Sequence, residues 1–292
     1  MPTRLPPAQL LEVTGSDALA FAHAQFSSDV NALADGAWQW SAWLSAQGRV
    51  RAFFHLLRAD STRLILILRG GAGPALRAAL APYVFRSKVQ LRAFEAESVV
   101  GCAGPADVLQ HLDSVPQGQR FVERDGRIGV ALPGQPQRWL IVTPSTLPDQ
   151  DADALQRWRA ADIEAGLVTL DERLVDRYLP AWLGFGQLGA TSVRKGCYPG
   201  QEIVARMHFK GGNKRWLHRV QFTADALPAP GMLLEAGADT PPGDLLNAAW
   251  KGHRVGIALA VLPRLADGAI LNARELPGSA FRVVSAVERA ND

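Results

Sequence analysis

The sequence is poor in cysteine, with two in 292 residues, at positions 102 and 197. Two cysteines cannot build a disulfide framework, so a reducing compartment, the cytoplasm, is the expected location. Long hydrophobic runs are missing as well. No apolar stretch reaches the length of a membrane-spanning helix. In "MPTRLPPAQLLEV" prolines stand where an export leader needs a continuous apolar core. A surplus of one charge sign is also lacking: 31 Lys and Arg against 28 Asp and Glu leave a net charge of +3. That slight basic bias suits small anionic ligands and is too weak to mark a nucleic-acid binder. The six histidines and two cysteines are scattered, with no C-x-x-C or H-x-x-x-H pair. No zinc or cluster site built from protein ligands is therefore expected.

What is present is ordinary globular material, 48% hydrophobic and 20% charged, in a chain long enough for two or three domains. Helices are expected over 14–26, 73–84 and 151–166, the last stopped by Gly166. Strands are expected at "RVRAFFHLLRA", "TRLILILRG", "KVQLRAF", "ESVVGCAG" and "QRWLIVTP". "GQRFVERDGRIGVALP" reads as a hairpin turning at Asp125-Gly126. Small units of sheet and helix mixed in this way indicate an α+β fold. After residue 212 only short strands follow, divided by Gly, Pro and Asp turns, which indicates a small β-barrel or sandwich.

Two stretches carry candidate chemistry. "SVRKGCYPGQEIVAR" (192–206) places Cys197 between a glycine and an aromatic, two residues after Lys195 and ahead of a helix. Lys195, Arg194 and the helix dipole would all favour a thiolate there, while an inert turn thiol is the plain alternative. Cys102, among small apolar residues, reads as packing. Glu164 in "ADIEAG" sits at a helix C-terminus, where a carboxylate is mildly unfavourable; it reads either as a solvated helix end or as a ligand for a planar N–H pair. "GFGQLGA" (184–190) has the glycine spacing of a dinucleotide loop but no apolar strand before it, so that reading is set aside.

"KGCYPGQEIVAR", followed by "KGGNKR", resembles the signature of the YgfZ family of folate-binding proteins, relatives of the glycine cleavage aminomethyltransferase. "QFSSDV" (25–30), "LSAQGRVRAFFHLLR" (44–58), "YVFRSKVQL" (83–91) and "IEAG" (163–166) fall in the family's order, so the resemblance spans residues 15–216. It implies two intertwined ferredoxin-like units, 1–90 and 91–212, and a C-terminal β-barrel, 213–292, forming a three-domain ring around a tetrahydrofolate cavity. By the same match Glu164 anchors the pterin, and Lys195 and Cys197 form the reactive edge. Gln201, Glu202 and Arg206 shape the cavity. Where the transferase relatives carry Asp-Asp, this sequence has Ala52 and Phe53, which hold no proton.

The function implied is a folate-binding accessory protein in assembly or repair of 4Fe–4S enzymes, including radical-type tRNA-modifying clients. A folate-dependent aminomethyl- or methyltransferase is the alternative, and whether the protein turns over as an enzyme stays open. A third reading takes His208, Lys210, Lys214, Arg215, His218 and Arg219, with Phe209 and Trp216 between them, as an RNA-binding face. Strand alternation accounts for the same run, so direct nucleic-acid binding is not expected.

Overall fold

A computed structural model describes residues 2–144 and 151–287; residues 288–292 of the expected third unit lie outside it. Elements are numbered in chain order. Eight strands form one antiparallel sheet: β1 (Thr3–Thr14), β2 (Ala37–Leu44), β3 (Val50–Asp60), β4 (Arg63–Leu68), β5 (Gln90–Cys102), β6 (Phe121–Arg124), β7 (Arg127–Leu132) and β8 (Arg138–Thr143). Their order is β2-β3-β4-β1-β5-β8-β7-β6, so β1 and β5 join an N-terminal half to a following one. The outer strands also meet, since Trp38 N–H donates to Gln119 O at 2.7 Å and Phe121 N–H to Gly36 O at 3.2 Å. The expected 90/91 boundary falls at the first residues of β5, the strand that carries the sheet from one half to the other.

The helices are α1 (Ala18–Gln25), α2 (Gly73–Leu80), the single turn α3 (Pro105–Val108), α4 (Ala152–Glu164) and α5 (Gln201–Lys210). None is long and apolar enough to cross a membrane. Asp151 caps α4 by accepting from the N–H groups of Asp153 and Ala154 at 3.0 and 3.1 Å, satisfying donors left over at the helix start. Trp158 on α4 lies against Gly101 of β5, where a methyl group would stand 2.6 Å from the indole. Only glycine admits the ring there.

Alternation on β3 serves two cores. Ala52, Phe54 and Leu56 pack with α1 and α2, and Phe53 and Leu57 pack with Trp38, Trp40 and Leu44. A strand buried on both faces loses the apolar–polar alternation that marks a half-exposed one. That is why β2, "AWQWSAWL", escaped the sequence reading. β1 escaped it because Pro6 and Pro7 interrupt the pattern; the pairing with β5 shifts register between Leu5 and Ala8, and the irregularity absorbs them. The segments "KVQLRAF" and "ESVVGCAG", expected as two strands, are one long β5.

The second sheet contains β9 (Trp216–Thr223), β10 (Leu233–Leu234), β11 (Gly243–Gly252), β12 (Val255–Leu262), β13 (Ile270–Leu271) and β14 (Ala280–Ala286). Its order is β10-β11-β12-β9-β14-β13, and Glu235 and Asn272 exchange backbone hydrogen bonds of 2.9 and 2.8 Å across the remaining gap. The sheet is thus a nearly closed barrel around Val220, Phe222, Leu245 and Phe281. It begins after α5, between Lys210 and Trp216.

Candidate functional site

Three segments far apart in sequence converge around residues 192–203. Ser27 Oγ donates to Ala190 O at 2.7 Å and to Ala42 O at 3.0 Å, tying α1's exit to β2 and to the chain before the cysteine. Ser192 N–H donates to Ser27 O at 2.8 Å. On the other side Gly200, with φ +77°, meets the turn between β2 and β3. A methyl group on it would stand 2.6 Å from both Gly48 Cα and Ser45 O. Side chains rarely adopt that φ, and the space is closed as well, so Gly200 is dictated by main-chain approach, while Gly48, at φ +73°, is closed first by the Ile203 side chain at 2.7 Å.

Lys195 is 8% exposed. Its ammonium donates to Phe26 O at 2.5 Å and to His23 O, carbonyls at the end of α1, where the helix dipole favours a cation. The Tyr198 ring lies 4.7 Å away. Burial pushes the amine down to about 8, with Asp29 pulling weakly the other way. Among the described residues its contacts are with α1 and Tyr198, and none is with Cys197. Cys197 is exposed. Tyr198 OH donates to Ser192 O at 2.9 Å and Gln201 Nε2 to Lys195 O at 3.3 Å, so both side chains brace the loop that presents the thiol. Pro199 precedes α5 and takes no place in its first turn, since Gly200 is the cap.

Glu202 and Arg206 are exposed on α5, four residues apart. Glu202 lies in the first turn, where a carboxylate complements the dipole. A cavity of about 290 Å³ beside the helix is lined by Ile203, Val204, Met207 and His208 instead. His23, which the sequence reading did not single out, stands by the motif: a methyl on Gly196 would be 3.7 Å from its Nε2. Burial lowers its pKa, Lys195 adds to the effect, and Asp29 opposes it.

Glu164 lies elsewhere. It lines a cleft of about 870 Å³ between α4 and the β11–β12 hairpin; Oε1 pairs with Lys251 Nζ at 2.6 Å, and its carbonyl accepts from Arg219 Nε at 2.9 Å. No described contact joins Glu164 to the 195–206 segment. The cationic run weighed for RNA is divided. His218 is fully buried, Arg219 holds the Glu164 carbonyl, and Arg215 donates to Pro242 O at 2.7 Å.

One residue beyond Glu164, Ala165 lines a different cavity of about 410 Å³ walled by Trp38 and Trp40. The amides of Gln119, Gln137 and Gln187 line it too. The buried Trp38 Nε1 meets no acceptor among the described residues. Trp40 stacks on Phe53 at 5.1 Å and Phe53 on Phe185 at 4.2 Å. Phe53 therefore backs the wall through Trp40. Gln187 also lines the α5 cavity and a third, of about 710 Å³, against the second sheet. The "GFGQLGA" stretch, dismissed as a nucleotide loop, is the partition where three cavities meet. Its signal was the alternating tryptophans of "AWQW", which only a buried strand brings to one wall.

No family model matches the chain. A protein of Escherichia coli O157:H7 (strain EC4115 / EHEC), "tRNA-modifying protein YgfZ", is 30% identical, over 94% of this chain and 86% of the relative. One of the same description from Shigella boydii serotype 4 (strain Sb227) is 29% identical, with the same coverage. The crystal structure of glycine cleavage system aminomethyltransferase T from Bartonella henselae superposes with a TM-score of 0.72 at 17% identity, over 97% of this chain and 84% of that one. The mixed α/β fold is therefore similar to that of an aminomethyltransferase.

Proposed function

The chain belongs to the YgfZ family, and from that premise we propose that it is a folate-binding accessory protein that supports assembly or repair of 4Fe–4S enzymes, tRNA-modifying ones among them, in the cytoplasm. The observation that carries the folate part is the Trp38–Trp40 cavity. Its volume, about 410 Å³, lies in the range that small-molecule ligands occupy. The walls are flat and aromatic, as a pterin ring requires; the amides of Gln119 and Gln187 offer both donors and acceptors to its polar edge, and Gln137, whose Nε2 already donates to Leu132 O and Arg138 O, offers its oxygen. The orphan Trp38 N–H is a buried donor that a ligand acceptor would satisfy. The residues present therefore fit tetrahydrofolate, which when bound supplies a reduced pterin able to carry one-carbon units. Glu164, adjacent to Ala165 on that wall, is the proposed anchor, and reaching the pterin requires its carboxylate to leave Lys251.

The three-unit division and the ring belong to the same proposal, supported by the aminomethyltransferase-like fold and by the three cavities meeting at Gln187. Cys197 is the proposed reactive group, handling sulfur, iron or a mixed disulfide with client enzymes; its exposure supports that role. Lys195 is proposed as the group that fixes the loop, since its described bonds go to α1. Gln201, Glu202 and Arg206 remain proposed contacts, Glu202 and Arg206 from the exposed side of α5. The transferase alternative finds no proton-holding group at Ala52 or at Phe53, which is locked in its aromatic stack.

Titration of the purified protein with tetrahydrofolate tests the first half. Saturable binding is expected, weakened about tenfold or more by Glu164→Ala and by Trp38→Leu, as loss of hydrogen bonds to a charged or buried group implies. Binding that both variants retain would remove the cavity assignment. The second half is tested in a deletion strain: cluster-dependent tRNA modification should return with the wild-type gene and poorly with Cys197→Ala, and equal rescue would remove the thiol's role.

A further inference from the structure

We propose a second ligand site, apart from the folate cavity: a chamber beneath β1, β3 and α4 that takes a small monocarboxylate with an apolar body. The chamber is about 220 Å³ and has its own lining, with Ile67, Val99, Leu140, Leu155 and Trp158 among its walls. A cavity of about 150 Å³ with comparable walls holds benzene, so an aromatic ring with one short polar group fits.

The polar end is equally specified. His55 is fully buried; the Ile67 backbone is the one hydrogen-bonding group acting on its ring among the described residues, and neither ring nitrogen makes a hydrogen bond of good geometry. Burial, and next the Arg69 guanidinium, hold it well below its ordinary pKa, with the Ile67 backbone offsetting only in part. The ring is thus neutral and carries one N–H, held only loosely by the Ile67 backbone, and one lone pair. Beside it Asp162 pairs with Arg69 and with Arg138, at 2.9 Å each. Among the described residues these two guanidiniums share one carboxylate, with Arg138 also resting on the Trp158 ring, which leaves a net positive charge in this group. Arg159, half-buried, lines the same chamber and adds a further cation. Buried polar groups are ordinarily satisfied, and buried charges are ordinarily balanced. One carboxylate accepting from His55 and facing the guanidiniums would meet both demands, and the apolar walls would take the body.

His55 also packs on Trp40, with ring centres 4.1 Å apart, so it is the partition between this chamber and the tryptophan cavity. The two cavities share no lining residue.

The test is calorimetry on the full chain with benzoate, and with benzamide as its neutral counterpart. Benzoate should bind saturably and about tenfold tighter than benzamide, as an added charge-assisted hydrogen bond implies. His55→Phe and Arg159→Gln should each weaken benzoate about tenfold, while Gln187→Ala, which alters only the tryptophan cavity and its neighbours, should not. His55→Phe should also melt no lower than wild type, because it removes a buried donor that lacks a well-formed partner. Should that variant fail to fold, the ¹⁵N shifts of His55 in the wild type decide: benzoate must move them and benzamide must not. Benzoate that binds no better than benzamide, ignores both chamber substitutions, or is lost with Gln187→Ala overturns the site.

Discussion

Lys195 shows how much a single buried amine can be asked to do. Its nitrogen bonds the carbonyls of His23 and Phe26, so it pins the cysteine loop to the end of α1. Its pKa in the fold, about 8, lies below that of an unfolded lysine. Between those values the unfolded chain binds more protons, so stability rises as pH increases through that window. A pH series of urea melts should show this rise in wild type and lose it in Lys195→Met; a ¹³C titration should place the amine's midpoint near 8. The two thiols separate as sharply. Cys197 is exposed, whereas Cys102 is buried and its thiol is pushed up to about 12, chiefly by desolvation. Iodoacetamide on the native protein should therefore give one adduct, at Cys197, with Cys102 labelled only after denaturation, as peptide mass spectrometry would read.

Among the elements, the turn between β2 and β3 is closely constrained by Gly200. Gly200→Ala forces a methyl onto the main chain of that turn and should cost about 2–4 kcal/mol in a denaturant melt. Gly212→Ala, also at positive φ but with open space around it, should cost only about 1 kcal/mol. Phe53→Asp, at the position that the resemblance matches to an aspartate of the transferases, places a carboxylate between Trp40 and Phe185. It should destabilise by about 3 kcal/mol or more without reviving transfer, measured by circular dichroism melts and product assay. Local signals were legible where chemistry is local. Asp125 and Gly126 both have positive φ, as their hairpin demands, and α4 runs from its Asp151 cap to the Ala165 cap, with Gly166 at positive φ just beyond. β2 and β11 were not legible. "AWQWSAWL" is buried on both faces, and "GDLLNAAWKG" is short of branched residues and holds its place through its register with β12.

At the scale of the whole molecule, the sequence presented the site's parts in order but not their meeting. Ser27 meets Ala190 and Ser192, and Gly48 meets Gly200, each pair across more than a hundred residues of chain, and nothing in local spacing announces it. The family resemblance pointed to Cys197 and Glu164, yet the fold sets them in different surroundings, the exposed thiol on a loop that Lys195 pins to α1 and the carboxylate in the α4 cleft. Trp38, Trp40 and Gln187 form one wall only because the outer strands meet and the 184–190 stretch crosses between the sheets.

The contact of Gly48 with Gly200 has a mechanical sequel. The turn that holds Gly48 is the elbow between two strands, one bearing Trp38 and Trp40 and the other Phe53 and His55. Two backbones pressed together without intervening side chains transmit displacement as gears do, tooth against tooth. Under the proposed function, a client enzyme tugging on the thiol's loop would thus move the panelling of the tryptophan chamber, and a pterin wedged in that chamber would stiffen the loop's grip.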